Sequence, residues 1–498
     1  MRVAPSGTRR ERLAEARRTA WRLPGADTPR RSWVAILALL VTAGISFAFM
    51  QTLVVPALPF FQREFDTSST WVTWIATGFL LSSSVLTPIL GKLGDAYGKK
   101  RLLVISLVIF GVASLGAAAS TSLAMLVGFR VLQGAGAAVF PLSYGIIRDE
   151  FPPERVGLAI GTVSSVFGVG GGVGLLMSGI ILATLSWPWL FIIGAVPVLA
   201  AALLIAVLVP ESRERVRSKP DWLGGSLLSF ALVALLLGVS EGNAWGWTSA
   251  GVLGLLLASA VLFAAWVRVE RRVTEPMVDM TTFTKRGLAV TNAVTFFVGF
   301  AMFGSFLLVP GFVQAPSGLP PELAAQVDYG FGASLAMTGL FFLPSSILMV
   351  LAGPLAGSLS DRVGSALPLR LGLGSIALGI FLLAFVHDAP WTVYVLMCFH
   401  GVGIACALSA VGSLVIDNVE PSETGVATGM NSIMRTIGAA FGGQVSAAIV
   451  SAVTIPGTPV PSEMGYTIAL SVAASAALAG LLLSFALGPR SHRTIRPG

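Results

Sequence analysis

The residues of this sequence that could carry chemistry are few, and most of them lie inside or beside long apolar runs. Arg130 and Gln133 stand within the apolar run 123–146. A charged side chain inside a membrane-spanning helix costs about 2.5–3.5 kcal/mol on insertion scales, so such a residue usually faces a cavity and serves a function. Because an arginine does not deprotonate in proteins, Arg130 could bind an anionic group or lower the pKa of a nearby acid. The alternative is a structural arginine bonded to backbone carbonyls.

A second group of charges fills the segment Gly91–Arg101, between the apolar runs 71–90 and 102–119. The segment reads Gly91-Lys-Leu-Gly-Asp95-Ala-Tyr-Gly98-Lys99-Lys100-Arg101. Glycines permit tight turns and close packing, and cations next to a membrane span are typical of the cytoplasmic side. The segment therefore predicts a short charged loop in the cytoplasm.

The same pattern returns in the second half of the chain. Asp361 stands 266 positions after Asp95, within Gly357-Ser-Leu-Ser-Asp361-Arg362-Val-Gly364. Gln133-Gly134-Ala-Gly136 corresponds to His400-Gly401-Val-Gly403 at an offset of 267. Further positions correspond at an offset of 268, namely Pro153, Gly157, Gly161, Gly170 and Gly174 with Pro421, Gly425, Gly429, Gly438 and Gly442. This agreement indicates two homologous halves, and such internal repeats are characteristic of transporter folds.

The remaining polar candidates lie in two further apolar runs. His400 is near the middle of the run 391–416, and Asn431 and Arg435 stand four residues apart in the run 425–453, on one predicted helix face. An ionisable residue within the membrane is a functional candidate, and an interhelical hydrogen bond is the alternative for His400. The phenylalanines that could either line an apolar cavity or face lipid are Phe296, Phe300 and Phe303.

These candidates need membrane-spanning helices to position them. Of the 498 residues, 55% are hydrophobic and 11% are charged, whereas soluble domains carry about 25% charged residues. Apolar runs of about 20 residues predict transmembrane helices. The sequence predicts fourteen spans, at 33–57, 71–90, 102–119, 123–146, 157–184, 187–209, 223–241, 250–268, 287–310, 334–356, 370–387, 391–416, 425–453 and 465–488.

The distribution of charge predicts the topology. The predicted external loops hold the cation Arg63 against the acids Glu64, Asp66, Glu241, Glu322, Asp328, Asp388 and Glu463. Nearly all other cations fall in the tails or the predicted cytoplasmic loops, among them Arg213, Arg215, Arg217, Lys219, Arg271, Arg272, Lys285 and Arg286. This positive-inside bias predicts cytoplasmic termini, and it assigns the net charge of +8 to topology and not to nucleic-acid binding. Cys398 and Cys406 fall in one apolar run, which indicates neither a disulfide framework nor a metal site.

Together these motifs resemble those of the major facilitator superfamily. The pattern Gly-x-x-x-Asp-x-x-Gly-basic-basic that begins at Gly91 is similar to the signature loop between that family's second and third helices. Arg130, Gln133, Gly134 and Gly136 resemble its fourth-helix motif. The repeat offset is longer than six helices need, and the surplus matches the spans 223–241 and 250–268. The plan of six, two and six helices resembles the fourteen-helix drug:proton antiporters of the superfamily.

The resemblance implies an all-α membrane protein with the major facilitator fold, two six-helix bundles plus two extra helices. Its parts are a cytoplasmic basic tail at 1–32, an N-terminal bundle at 33–209, a linker with the two extra helices at 210–286, a C-terminal bundle at 287–488 and a cytoplasmic tail at 489–498. In the family, the aspartate of the signature loop contacts a helix N-terminus in the outward-open state. The resemblance therefore implies that Asp95 acts as a latch on the start of span thirteen, at Glu423–Gly425.

The sequence departs from the family pattern at several positions. Met50 replaces the usual acid in the first-helix pattern Phe49-Met50-Gln51-Thr52, and Ala96 replaces the usual cation after Asp95. In the antiporter motif of span five, Leu175 stands in place of a proline and Ser178 in place of a glycine, so no proline kink is expected there. Small residues permit close helix packing in lipid, and the packing glycines are Gly170, Gly174, Gly179, Gly438 and Gly442.

The resemblance implies a secondary transporter in the cell membrane that exports apolar or amphipathic compounds, including drugs, by proton antiport. The sequence has no Gly-x-x-x-x-Gly-Lys-Ser/Thr loop for binding ATP, so the expected energy source is a proton gradient. No cofactor is expected. The alternatives are a dedicated exporter of one self-made metabolite and an uncoupled facilitator. A membrane-embedded enzyme would need paired His, Cys or acidic residues at mid-depth, and the predicted spans lack them. The expected partners are the substrate and the lipid bilayer, and a monomer is expected.

The expected substrate and proton pathway includes Gln51, Thr52, Arg130, Gln133, His400, Asn431 and Arg435. Because Met50 removes the usual acid, His400 becomes the mid-depth candidate for proton coupling. Its unperturbed pKa of about 6.5 suits a proton carrier, and its repeat partner Gln133 suggests that it faces a cavity. The alternative is an acid near a span end, at Asp149, Glu150, Glu241 or Asp417.

Overall fold

The computed structural model describes residues 32–211, 221–316, 319–458 and 460–487, and this part of the chain is helical almost throughout. Its fourteen long helical segments are α1 Trp33–Leu53, α2 Trp74–Tyr97, α3 Lys99–Ala118, α4 Leu123–Glu150, α5 156–184, α6 Trp189–Leu208, α7 Trp222–Ser240, α8 Ala250–Glu270, α9 Arg286–Gln314, α10 Leu335–Val363, α11 Ala366–Phe385, α12 Pro390–Asp417, α13 Thr424–Ala452 and α14 Glu463–Ser484. The predicted tails 1–32 (apart from Ser32) and 489–498 lie outside the described residues, as do Arg213, Arg215, Arg217 and Lys219.

The all-α, multi-span architecture that the sequence predicts is confirmed. Within the described ranges, 13 helices are long and apolar enough to cross a membrane, and Gly174–Thr184 is a shorter apolar helix. Helix bounds differ from the predicted spans mainly at the ends, since α9 continues to Gln314 and α10 to Val363. The extension of α10 carries the polar residues Ser358, Ser360, Asp361 and Arg362, whereas that of α9 buries Phe312 and Val313.

The predicted charged loop at Gly91–Arg101 is wrong in its conformation. Helix α2 continues through Tyr97 and α3 begins at Lys99, so Gly98 alone connects them, with a φ of 114°. In the second half, Asp361 and Arg362 are likewise helical, and Gly364 ends α10 with a φ of 90°. Such positive φ values favour glycine, which has no Cβ to clash. The glycine that ends each helix was in the predicted motif, but the aspartate precedes the turn on a rigid helix.

Helix α5 has an irregular centre although it lacks the family's proline. Residues Val169–Val173 adopt π geometry between Val156–Gly168 and Gly174–Thr184. The carbonyl oxygen of Gly170 accepts a hydrogen bond from Thr52 Oγ1 of α1, and the N–H of Gly172 donates to Ser346 Oγ of α10 at 3.0 Å. No proline kink was expected in this helix, and the irregular centre is formed without a proline. Side chains of two neighbouring helices bond the backbone where it departs from α geometry.

The buried apolar side chains form two large cores. One joins residues of α1–α6 and includes Phe47, Phe110 and Phe191. The other joins residues of α9–α14 and includes Phe312 and Phe341. We call these helix groups the N-terminal half and the C-terminal half. The halves meet chiefly where α2 packs on α13 and where α5 packs on α10.

Helices α7 and α8 pack against each other and form a third apolar cluster at the seam between α2 and α13. Leu228, Leu232 and Leu236 of α7 belong to the same cluster as Leu81 of α2 and Met430 of α13. At one end of the pair, Asn243 Nδ2 donates to Gln444 Oε1 of α13 at 2.8 Å. The two extra helices therefore cover one of the two seams between the halves.

Candidate functional site

Asp95 joins the end of α2 to the beginning of α13. Its side chain is 2% exposed. Its Oδ1 accepts a hydrogen bond from the Gly425 N–H at 3.1 Å, and its Oδ2 accepts one from the Val426 N–H at 3.0 Å. A helix N-terminus presents free N–H groups and partial positive charge, which bind a carboxylate. A Cβ on Gly91 would lie 2.4 Å from the Gly425 carbonyl oxygen, so the two helices touch through their backbones.

A buried set of charges supports this contact. Lys99 is fully buried, and its Nζ lies 2.7 Å from Asp149 Oδ2 and 3.9 Å from Asp95 Oδ1. The same Nζ donates to the Pro421 carbonyl oxygen at 3.3 Å, across the seam between the halves. The sequence predicted Lys99 as one of three cations in a cytoplasmic loop and did not indicate that its side chain is buried. The small residue Gly145 leaves room for its stem to cross α4 and reach Asp149.

Arg148 of α4 extends this set of charges to the other half. Its Nη1 donates to Thr424 Oγ1 at 2.7 Å, and its Nη2 donates to the Val419 carbonyl oxygen at 2.8 Å. We call Asp95, Lys99, Arg148, Asp149 and the α13 N-terminus the first latch. Sequence reasoning missed Arg148, although its place in a charged Arg-Asp-Glu end of α4 was a visible signal.

The second half of the repeat forms an equivalent contact in the opposite direction. Asp361 Oδ1 accepts a hydrogen bond from the Gly157 N–H at 3.0 Å, and Oδ2 accepts one from the Leu158 N–H at 3.2 Å, at the start of α5. A Cβ on Gly357 would lie 2.0 Å from the Gly157 carbonyl oxygen. We call this contact the second latch. Both latches lie at the same end of the bundle, the latch end.

The contacts that the structure describes do not place Gly98, Lys100, Arg101 or Arg362 between the halves, although these residues belong to the predicted cytoplasmic loop and its repeat. The Lys100 N–H donates to Glu211 Oε1 at 3.2 Å, within the N-terminal half. Arg101 and Arg362 are exposed. Gly98 packs against Glu211.

A cavity lies between the halves, farther from the latch end. It is lined by α1, α2, α4 and α5 from one half and by α9 and α13 from the other. Its aromatic wall consists of Phe47, Phe140, Phe167 and Phe303. Hydroxyl groups come from Ser83, Ser84, Thr87, Ser432 and Thr436. An apolar wall with a few polar groups is typical of a small-molecule site, but the volume of about 40 Å³ is far below the roughly 300–1,000 Å³ of such sites, so the cavity is closed to a drug-sized molecule in this conformation.

Of the residues predicted for the substrate pathway, the structure brings Gln51 and Arg435 together on this cavity. The Arg435 guanidinium stacks on Phe167, with Cζ 4.6 Å from the ring centroid. No hydrogen bond or ion pair joins it to another described residue. Among the described residues that line the cavity, none carries a carboxylate.

Arg130 and Gln133 are not among the described residues that line this cavity, so their place on the pathway stays a prediction. Arg130 Nε donates to the Ile75 carbonyl oxygen at 3.0 Å, and its Nη1 donates to Gln133 Oε1 at 2.7 Å. Gln133 Nε2 then donates to Ser114 Oγ at 2.8 Å, and this oxygen is 3.6 Å from the sulfur of Met50. Arg130 is thus bonded to a backbone carbonyl, as in the structural alternative, and is enclosed within the N-terminal half.

His400, Asn431 and Thr52 are also away from the cavity wall. His400 Nε2 lies 3.1 Å from Ser305 Oγ of α9, inside the C-terminal half, and His400 is not among the described residues that line this cavity. Asn431 Nδ2 donates to Asn292 Oδ1 at 2.8 Å, on the α9 side of α13. Interhelical hydrogen bonds thus occupy both side chains, whereas Thr52 bonds the π segment of α5.

The predicted packing glycines lie closely against neighbouring backbones at three of five positions, Gly170, Gly438 and Gly442, and Gly174 lies against the Thr52 side chain. A Cβ on Gly438 would lie 1.9 Å from the Phe296 carbonyl oxygen, and one on Gly442 would lie 2.2 Å from that of Phe300. Gly170 approaches Ala48 and Gly174 approaches Thr52, both of α1, while Gly179 has ordinary contact with Ala336. Of the phenylalanine stripe on α9, Phe303 alone is among the cavity residues that the structure describes.

The candidate acids near the helix ends differ in environment. Asp149 belongs to the first latch. Glu241 follows α7 outside the membrane-spanning segment and is buried, and this burial raises the pKa of its carboxyl group. Asp417 is the last residue of α12. Of these acids, Asp149 has a described ion pair, with Lys99.

Comparison with known proteins identifies the family. The model of the Major Facilitator Superfamily matches residues 40–443. The tetracenomycin C resistance and export protein of Streptomyces glaucescens is 29% identical over 424 residues, which are 84% of this chain and 76% of that protein. Multidrug resistance protein Stp of Mycobacterium tuberculosis is 30% identical over 431 residues, which are 84% of this chain and 78% of that protein. The crystal structure of the human organic anion transporter MFSD10 (TETRAN) has the same fold, with a TM-score of 0.64 at 15% identity, covering 92% of this chain and 100% of that one.

Proposed function

Because this chain belongs to the Major Facilitator Superfamily, we propose that it exports apolar or amphipathic small molecules, including drugs, from the cell by proton antiport and alternating access. One observation supports the proposal above the others. A cavity shared by both halves lies behind two latches, each formed by an aspartate of one half on a helix N-terminus of the other. The names of the relatives, which include antibiotic and multidrug exporters, support the direction and the substrate class.

In this proposal the latch end is cytoplasmic, as the positive-inside bias predicts. The two latches then hold the cytoplasmic ends of the halves together. For the cavity to receive substrate from the cytoplasm, both carboxylates must leave their helix N-termini and the halves must rock apart, which is the usual motion of transporters built from repeats. The protein works as a monomer in the cell membrane, with both termini in the cytoplasm.

We place the proton-dependent step at the first latch and not at His400. His400 is enclosed in the C-terminal half, whereas Asp95 and Asp149 share Lys99 at the surface where the halves meet. Protonation of either carboxylate removes a negative charge that faces Lys99. The attraction within the latch then falls, and opening toward the cytoplasm becomes easier.

Transport into sealed inverted membrane vesicles tests the function. Vesicles that contain the protein should accumulate tetracenomycin C or another apolar drug when their interior is acidic. Collapse of the pH gradient with nigericin should abolish the accumulation, and vesicles without the chain provide the control. Equal uptake with and without the gradient would reject antiport and leave an uncoupled facilitator.

The similarity to an exporter of tetracenomycin C favours a second candidate, a dedicated exporter of one self-made metabolite. A panel of chemically unrelated drugs in the same vesicles separates the two. Transport of several unrelated compounds supports the multidrug function, and transport of one compound class alone supports the dedicated exporter.

The proposed topology has its own test. In a variant that lacks Cys398 and Cys406, a single cysteine introduced by Pro320→Cys lies between α9 and α10, on the proposed external side. A membrane-impermeant maleimide should label it in intact cells. Labelling from the cytoplasmic side alone would reverse the topology.

A further inference from the structure

Arg435 is a cation in a largely apolar cavity, and no described residue supplies its counter-charge. We infer that the molecules carried by this transporter are amphipathic acids, whose anionic group binds Arg435 while the apolar part packs on the phenylalanine wall. This inference rests on the proposed export function and specifies the substrate class of the same cavity. A charge removed from water is stable only when it is paired and hydrogen-bonded, and the substrate would supply the missing partner.

The geometry of Arg435 leaves its hydrogen-bonding edge available. One face of the guanidinium stacks on Phe167. A cation on an aromatic face is partly stabilised, but this contact uses none of the five N–H donors. A planar guanidinium with free donors binds a carboxylate through two parallel hydrogen bonds.

Two neutral side chains of the cavity are also uncommitted. Ser83 is 8% exposed, and its hydroxyl has no hydrogen-bond partner among the described residues. The amide of Gln51 likewise makes no hydrogen bond to another described residue. By contrast, the hydroxyl groups of Ser84, Thr87, Ser432 and Thr436 donate to carbonyls of their own helices. Arg435, Ser83 and Gln51 therefore offer uncommitted donors, which suit an oxyanion.

The cavity is also unsuited to a cationic drug. The described residues of its wall include no carboxylate to pair with a cation, and Arg435 would repel one. Met50 occupies the first-helix position at which the family usually has an acid, and it is buried against Ser114 and Gly194. An absent counter-charge and a like charge both select against cationic substrates.

Binding of three matched probes to the purified full chain in lipid nanodiscs tests the inference. The probes are 2-naphthoxyacetate, 2-naphthoxyacetamide and 2-(2-naphthoxy)ethylammonium, which share one aromatic body and differ in charge. Equilibrium dialysis against empty nanodiscs measures each affinity. The acid should bind at least tenfold more tightly than the amide, and the ammonium compound should bind most weakly.

Substitutions of Arg435 test whether this residue causes the preference for the acid. Arg435→Gln should lower the affinity for the acid at least tenfold and change that for the amide less than twofold, while Arg435→Lys should keep the acid preferred. Arg370→Gln is the matched control, because Arg370 also stacks on a phenylalanine, Phe485 at 4.5 Å, but lies away from the cavity. The comparison of the three probes on the unchanged protein stands even if a variant fails to fold.

Equal binding of acid and amide, tighter binding of the ammonium compound, or binding of none of the three would overturn the inference. Vesicle transport separates this result from the proposed function. Export of the amide as fast as the acid would refute the acid preference and leave export intact. Binding of the acid through Arg435 without transport of any compound would refute export and leave the site assignment intact.

Discussion

In the first latch, the Asp95 carboxylate is buried and lies near a fully buried Lys99, which also binds Asp149. In the second latch, the Asp361 carboxylate makes the same pair of backbone hydrogen bonds but is only half-buried. The residue that corresponds to Lys99 there is Ser365, whose hydroxyl has no hydrogen-bond partner among the described residues. The repeat has thus kept the contact of aspartate with a helix N-terminus in both halves and buried a lysine in one.

Two contributions hold the latch end closed, a close helix contact and an attraction between charges, and the latches differ in the second. The glycines and the aspartate make a close helix contact, which both latches share. In the first latch, the fully buried Lys99 adds an electrostatic contribution that burial protects from screening by water. We therefore expect substitutions of backbone-contact residues to act alike in the two halves and substitutions of charge to act unequally.

The largest effect is expected for Lys99→Met, which removes the fully buried lysine that faces both Asp95 and Asp149. Removing one partner of a buried ion pair costs about 3–5 kcal/mol. Transport should fall more than tenfold, and the midpoint of thermal unfolding in detergent should decrease. Lys285→Met, at an exposed lysine, provides the control. If Lys99→Met transports like the control, the buried charges do not distinguish the latches.

Gly425→Ala and Gly157→Ala should have similar, smaller effects on the two latches. The new Cβ would lie 2.5 Å from the Gly91 carbonyl oxygen in one case and 2.5 Å from that of Gly357 in the other. Overpacking of this kind costs about 1–3 kcal/mol, and both variants should transport several-fold more slowly. Gly443→Ala, on α13 with no atom within 4 Å, should match the unchanged protein. A large difference between the two alanine variants would contradict the shared contact.

Asp95→Asn and Asp361→Asn should separate the latches by charge. A carboxylate at a helix N-terminus contributes up to ~2 kcal/mol when partly buried and about 0.3–1 kcal/mol when exposed. Transport should therefore fall more for Asp95→Asn than for Asp361→Asn, with expression unchanged in both. Initial rates in the vesicle assay measure the difference. The reverse order would show that the second latch controls opening.

The smallest effect is expected for His400→Gln. Glutamine can keep the hydrogen bond to Ser305 but does not titrate near neutral pH. Transport rates and their dependence on the pH gradient should stay within twofold of the unchanged protein. A loss of gradient dependence in this variant would place the proton step in the C-terminal half and reject its assignment to the first latch.

The sequence predicted the features that depend on local composition and on the repeat. The helical spans followed from the apolar runs, and the contact of Asp95 with the start of α13 followed from the family motif. The extra helices α7 and α8 were visible as the surplus in the repeat offset. In each case the signal lies in a short segment or in a comparison between the two halves.

What the sequence did not predict depends on contacts between distant segments. Lys99 was predicted, with Lys100 and Arg101, as one of three cations in a cytoplasmic loop, and its burial depends on Gly145 and on Asp149, 50 residues away. Arg130 and Arg435 both appeared as charges within spans, yet Gln133 and the Ile75 carbonyl satisfy one of them and no described residue pairs with the other. Only the packing of the helices distinguishes a structural arginine from one that faces the cavity.

The extra helices give the molecule two unequal flanks in the bilayer. On one flank α7 shields the seam between α2 and α13 from lipid, while on the other α5 meets α10 with the exposed Leu351 and Leu355 of α10 in the outer surface. The hydrogen bond from Asn243 to Gln444 joins the α7–α8 pair to α13, so in the proposed rocking motion α2 would slide beneath α7. In the proposed motion the leucines on that face of α7 would permit this sliding, because apolar contacts are non-directional and can be exchanged. Compounds dissolved in the membrane would then approach the seam from the uncovered flank.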